Sequence, residues 1–116
     1  MTITHLVTHS GGFHADELLS SAVLTRLFPQ AELLRSRDRQ WVTPAADKII
    51  YDVGGAYDGE AQIFDHHQRP SPLREDGQPF SSFGLIWAHY GRAYLAAMDV
   101  PADDVEAIHT KFDTKF

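Results

Sequence analysis

The sequence predicts an α/β fold, a mainly parallel sheet with flanking helices in one small domain. Three observations carry this. A β-branched strand pattern at residues 3–8 leads into a helical pattern at 14–28 and a further strand pattern at 31–35, and parallel neighbours need such long crossovers. Residues 48–53 (Lys-Ile-Ile-Tyr-Asp-Val) are too apolar inside for a half-exposed strand, as expected where both sheet faces are covered. Three acid/imidazole clusters each follow a strand-like segment, and open α/β sheets bind ligands at the carboxyl ends of their strands.

Residues 3–8 alternate loosely, and Gly11-Gly12 break them: strand, then turn. In the following helix, Leu19, Ala22, Val23 and Leu27 share one face, and Pro29 marks the stop. Residues 31–35 read as a second strand. Residues 48–53 form a third, ended by Gly54-Gly55, and 61–64 a short further one. Three prolines, Gly77 and the charges of Arg69, Arg74, Glu75 and Asp76 make 68–79 an exposed loop, either a lid or a linker. Ser81 and Ser82 are good N-caps for a helix with Ile86, Tyr90, Ala93, Tyr94 and Ala97 on one face, which Gly91 is expected to bend or split. Pro101 opens a last helix with Asp103 and Asp104 in its first turn and Val105, Ile108 and Phe112 on one face, Phe116 continuing it.

At 116 residues, 43% of them apolar and 22% charged, the chain has the make-up of a soluble globular domain. It holds no run of about 18 apolar residues. Its first residues lack the basic segment and apolar stretch of a signal peptide, so a cytoplasmic location and no membrane partner are expected. Without any cysteine, disulfides, iron–sulfur clusters and thiolate zinc sites are excluded, which leaves imidazole and carboxylate as metal ligands. The net charge of −6 argues against a Lys/Arg surface for phosphate, although bound divalent cations invert the potential locally.

The clusters are His9-Ser10-Gly11-Gly12-Phe13-His14-Ala15-Asp16, Tyr51-Asp52-Val53-Gly54-Gly55 and Asp65-His66-His67. Converging, they suggest a metal centre. A hydrolytic two-ion site needs carboxylates to bridge cations roughly 3.5–4 Å apart and imidazoles to complete the shells. His9, His14 and Asp16 supply the first cluster's donors. Asp52, at the end of a buried strand, is the natural bridging carboxylate. In Asp65-His66-His67, one imidazole can bind metal while its neighbour donates to a substrate oxyanion and Asp65 orients a ring. Mixed nitrogen and oxygen donors favour manganese, zinc, iron or cobalt over magnesium or calcium.

Plainer readings fit other residues better. His5, His89 and His109 read as surface or hydrogen-bonded histidines, and Trp41 and Trp87 as core or rim aromatics rather than base platforms. Asp16-Glu17 also suit a helix first turn. Ser10, Ser81 and Ser82 are better caps than nucleophiles, and neither glycine pair makes a phosphate-binding fingerprint.

Together with Ser81-Ser82-Phe83-Gly84-Leu85-Ile86, these motifs stand in the order found in the DHH phosphoesterase superfamily, and the chain resembles its Myg-type exonuclease branch over nearly its whole length. The resemblance implies a Rossmann-like domain. It implies metal ligation by His9, His14, Asp16, Asp52 and His66, with Asp52 bridging a two-ion manganese site, and zinc or another transition metal as the alternative. Asp52, Asp65 and His67 are the residues it implies for catalysis, His67 facing the phosphate. The wider superfamily's Asp-x-Asp stands here as His14-Ala15-Asp16, as in the Myg-type branch.

The implied activity is metal-dependent phosphodiester hydrolysis, with RNA shortened from its 3′ end. Alternatives are hydrolysis of a small phosphate compound and a non-catalytic module that binds a metal or a partner. Asp113 lacks the Asp-Asn-Gly context of the family's further carboxylate motif and is not assigned to it. Residues 1–116 are thus expected to be the N-terminal part of such a domain, its remainder and C-terminal domain missing. Alone it is expected to self-associate through the last helix's apolar strip and to turn over feebly.

Overall fold

The computed structural model describes residues 2–115. Its strands are β1 (His5–Thr8), β2 (Glu32–Arg35), β3 (Lys48–Tyr51), β4 (Tyr57–Asp58) and β5 (Ile63–Phe64), and its helices α1 (Ala15–Leu27), α2 (Arg39–Val42), α3 (Ser82–Ala97) and α4 (Ala102–Asp113). They build the α/β fold expected: one sheet in the order β2-β1-β3-β5-β4, parallel except for β4, which runs antiparallel to β5. From β1 the chain passes through α1 to β2 on one side, then returns through α2 to β3 on the other. The order therefore reverses between β1 and β3, where open sheets leave a crevice.

Side chains alternate across the sheet with period two, so each strand serves two cores. Leu6, Ile49, Tyr51 and Phe64 meet Val23 and Leu24 of α1 and Phe83, Ile86 and Trp87 of α3. Val7, Ile50 and Ile63 face the other way, with Val53, Trp41 and Val42 over them. All four residues of β3 are buried, including Lys48, whose Nζ donates to the Gln40 and Trp41 carbonyls at 3.0 Å each and so satisfies carbonyls in α2.

The structure departs from the sequence reading in a few places. α2 and β4, of four and two residues, are too short for a periodic pattern to show. β3 stops at Tyr51 rather than 53 because Asp52 takes a left-handed φ of 58°, and Gln62 at 62° confines β5 to Ile63–Phe64. Gly91 neither bends nor splits α3. Its lack of a side chain lets α4 approach: a Cβ there would stand 2.6 Å from Trp87 Cδ2 and 2.9 Å from His109 Cδ2.

That approach decides which face of α4 turns inward. Residues 105, 108 and 112 and residues 105, 109 and 112 both satisfy helical spacing. The second set is used: Val105 joins the core, Phe112 lies 4.7 Å from the Trp87 ring, and His109 is buried between them while Ile108 is exposed. His109 stacks on Trp87 with ring centroids 5.3 Å apart. Its Nε2 donates to the Trp87 carbonyl at 2.9 Å and its own carbonyl accepts from Trp87 Nε1 at 3.0 Å, so this histidine is hydrogen-bonded, as read. Phe116, expected to continue the strip, lies outside the described residues. No helix among the described residues is long and apolar enough to cross a membrane.

Candidate metal centre

Parallel register carries the three clusters to one place. Val7 pairs with Ile50 and Tyr51 with Phe64, so the next residues along the strands bring His9, Asp52 and Asp65 to the carboxyl edge side by side. Two bonds pin that edge: Thr8 Oγ1 donates to the Tyr51 carbonyl at 2.8 Å, and Asp52 N–H donates to the Phe64 carbonyl at 2.9 Å. The left-handed turn at Asp52 then directs its carboxylate into the crevice rather than across the sheet.

Asp52 is buried and its two oxygens face different groups. Oδ2 lies 3.1 Å from His9 Nε2, and Oδ1 lies 3.4 Å from His66 Nε2 and 3.9 Å from His67 Nδ1. Asp16 comes in from the first turn of α1, with Oδ2 3.4 Å from the same His66 Nε2 and Oδ1 accepting from Phe83 N–H at 3.0 Å. His66 thus sits between two carboxylates that α1 and β3 hold from opposite sides. His14 caps α1 and brings its Nδ1 to 3.4 Å from His9 Nε2, the nitrogen that also faces Asp52.

Asp65 is buried and its contacts are all local. Oδ2 accepts from Gly55 N–H at 2.8 Å, and Oδ1 accepts from His66 N–H at 2.8 Å and His67 Nδ1 at 2.6 Å. An ionised carboxylate only accepts, so His67 carries its proton on Nδ1 and turns Nε2 outward. Its side chain is 63% exposed against 26% for His66, which separates the adjacent rings: one inside the cluster, the other at its mouth.

The donor set fits divalent cations, on two observations. Asp52 Oδ1 is buried and has no hydrogen-bond partner among the described residues. His9 Nε2 lies 3.1 Å from Asp52 Oδ2 and 3.4 Å from His14 Nδ1, so a carboxylate oxygen and two imidazole nitrogens converge at one point, the mixed donor set that divalent transition metals take. The same crowding raises the Asp52 carboxyl above its ordinary 3.8: burial contributes most and the Asp16 carboxylate next, while the Ser82 hydroxyl, His67 and His9 pull the other way. Among the described residues, two groups of side chains have ligand atoms close enough to share an ion: Asp52, Asp65, His66 and His67, and His9, His14 and Glu17.

Glu17 was read only as a first-turn carboxylate. It is buried and accepts from His14 N–H, which orients the histidine. The visible signal was its place three residues after a helix N-cap. Arg37, which belongs to no motif, lines the crevice with His9, His14, Asp52 and His67. A larger cavity between residues 74–80 and the end of α4 holds the Arg74–Asp113 ion pair at 2.6 Å and none of these ligand groups.

A MYG1 protein of Schizosaccharomyces pombe is 42% identical over 125 residues, covering 98% of this chain and 37% of its own. The MYG1 exonucleases of Bos taurus and Homo sapiens are 38% and 37% identical over 120 residues, covering 94% of this chain and 31% of theirs. The chain thus spans about a third of the length of the curated relatives it matches. No solved structure matches it. The family model MYG1_exonuc, described as "Uncharacterised protein family (UPF0160)", matches residues 5–116, and with these identities the chain belongs to the MYG1 family.

Proposed function

We propose that the chain is the N-terminal part of a DHH-superfamily phosphoesterase domain, and that it hydrolyses phosphodiesters with divalent cations, shortening RNA from the 3′ end. One observation carries the proposal. Asp16, Asp52, His9 and His66 converge within 3.4 Å contacts at the carboxyl edge of a parallel sheet, with an unpartnered buried carboxylate oxygen at their centre. The exonuclease names of the bovine and human relatives support the nuclease class. Mixed imidazole and carboxylate donors suit manganese, zinc, iron or cobalt, and of these the family resemblance favours manganese, with zinc or another transition metal as the alternative.

The chain's own groups divide the work. Asp52 offers its oxygens to two imidazoles on different sides, which suits a bridging ligand. His9, His14, Asp16 and His66 would complete the shells, while Glu17 accepts from the His14 backbone N–H and Asp65 holds the His67 ring. Bound divalent cations would supply Lewis-acid polarisation of a phosphoryl oxygen and activation of water. His67, anchored through Nδ1, presents Nε2 at the mouth, where this reading has it face the phosphate. Asp16, tied to the first turn of α3 through Phe83 N–H, keeps its free oxygen on His66.

The test is a single-turnover assay, protein in excess over a 5′-labelled oligoribonucleotide, with manganese, zinc, magnesium or chelator. The proposal expects manganese-dependent shortening into a ladder whose labelled products retain the 5′ end. Turnover undiminished by chelator would refute the metal role. Cleavage of pyrophosphate but not RNA would favour the small-phosphate alternative.

A further inference from the structure

We propose that Phe13 and Arg37 form a nucleotide-binding lip on the centre, Phe13 stacking a base of the substrate and Arg37 holding one of its phosphates. The inference rests on the phosphodiesterase reading above and names the surface that would recognise the substrate.

The end of β2 and the residues after it deliver two arginines to the loop between β1 and α1. Arg35 Nη2 donates to the carbonyls of Gly11 and Gly12 at 2.9 and 3.3 Å, and its guanidinium lies 4.1 Å from the centroid of the Phe13 ring. Phe13 is therefore held on one face by a cation–π contact while its side chain stays 66% exposed. A single exposed apolar residue means little. This one packs against the Arg35 guanidinium in the 10–13 loop, whose Ser10 carbonyl accepts from Arg37 at the crevice. A base would rest on its open face, on the same loop that Arg37 ties to the crevice. Aromatic stacking of this kind tolerates any base, which suits a nuclease that removes successive nucleotides.

Arg37 supplies the complementary charge. Its Nη2 donates to the Ser10 carbonyl at 3.1 Å, which leaves most of the five guanidinium donors for a ligand. It borders a crevice of about 330 Å³ together with His9, His14, Asp52 and His67, and no other Arg or Lys lines that crevice. The volume is within the range of small-ligand sites. Against a net charge of −6, a fixed guanidinium beside the carboxylates gives a phosphate one attractive contact besides the cations.

Fluorescence anisotropy with a 5′-labelled 2′-O-methyl pentaadenylate, which resists cleavage, tests this in the presence of manganese. A matched probe with abasic sugars separates stacking from phosphate contact, and calorimetry measures manganese affinity for each variant. Phe13→Ala should weaken the pentaadenylate by roughly tenfold and leave the abasic probe unchanged, and Phe13→Trp should restore binding. Arg37→Ala should weaken both probes by roughly tenfold, with manganese affinity intact. If the wild-type chain binds manganese and the probe but neither variant changes probe affinity, the lip is refuted while the phosphodiesterase reading stands. If Arg37→Ala loses manganese and probe together, Arg37 is only a brace for the loop. If the wild type binds no manganese, both readings fail.

Discussion

Replacing Asp52 with asparagine separates the demands of the fold from those of the cation. The two side chains have the same shape, and Asn and Asp are the non-glycine residues that best tolerate the left-handed φ of 58° found there. The substitution removes a carboxyl whose ionised form burial and then the nearby Asp16 carboxylate disfavour, so the metal-free fold should lose nothing. Cation binding should suffer. The partners of metal ligands typically carry up to roughly 100-fold in affinity, and a carboxylate that serves both sides of the cluster should carry at least that, about 2.7 kcal/mol. At manganese 100 times the wild-type dissociation constant, binding stabilises the native state by about 2.7 kcal/mol, against about 0.4 kcal/mol for the weakened variant. With about 4 °C per kcal/mol for a domain near this size, thermal melts should show a manganese-induced rise of roughly 11 °C in the wild type and roughly 2 °C in Asp52→Asn. An equal rise in both would refute Asp52 as a ligand. A metal-free variant melting well below the wild type would show that the carboxylate serves the fold instead.

His66→Ala should abolish tight manganese binding, whereas His67→Ala should keep it and lose rate, because only His66 lies between Asp16 and Asp52; equal metal loss in calorimetry would overturn that division. Gly91→Ala gains about 1 kcal/mol of helix propensity but meets Trp87 at 2.6 Å, and displacing a ring held by its Nε1 hydrogen bond to the His109 carbonyl and by stacking on the His109 ring costs about 1–3 kcal/mol, so the melting temperature should fall by several degrees. An increase would mean that Trp87 can yield. The raised Asp52 carboxyl means that the folded, metal-free chain holds this proton more tightly than the unfolded one. Its contribution to stability is complete below the ordinary 3.8 and is lost as pH rises through the raised value, so the wild type should lose stability relative to Asp52→Asn over that window. Melting curves of the two that stay parallel as pH rises from about 4 would contradict the assignment.

The sequence by itself determined the parallel architecture, because continuous apolar runs and 3.6-residue periods are statements about burial that hold whatever the neighbours are. It also placed His9 and Asp65 just beyond strand ends and Asp52 near the end of one, which made their meeting in a parallel sheet legible: equal register puts equivalent ends at one edge. Tertiary structure alone decided what depends on distance and direction. The left-handed turn that aims Asp52 follows from pairing with Phe64, not from its local sequence. His66 and His67 are chemically identical and adjacent, and only the Asp65 carboxylate and the approach of Asp16 give them different surroundings. The inward face of α4 was set between two equally periodic choices by a hydrogen bond that only His109 could make to Trp87. Phe13 and Arg37 carry no periodic signal, since a guanidinium under a ring and an arginine beside a crevice exist only once β2 lies next to β1. Periodicity reports how much of a side chain is covered, whereas chemistry needs to know by what, and that is settled by contacts between residues far apart in the chain.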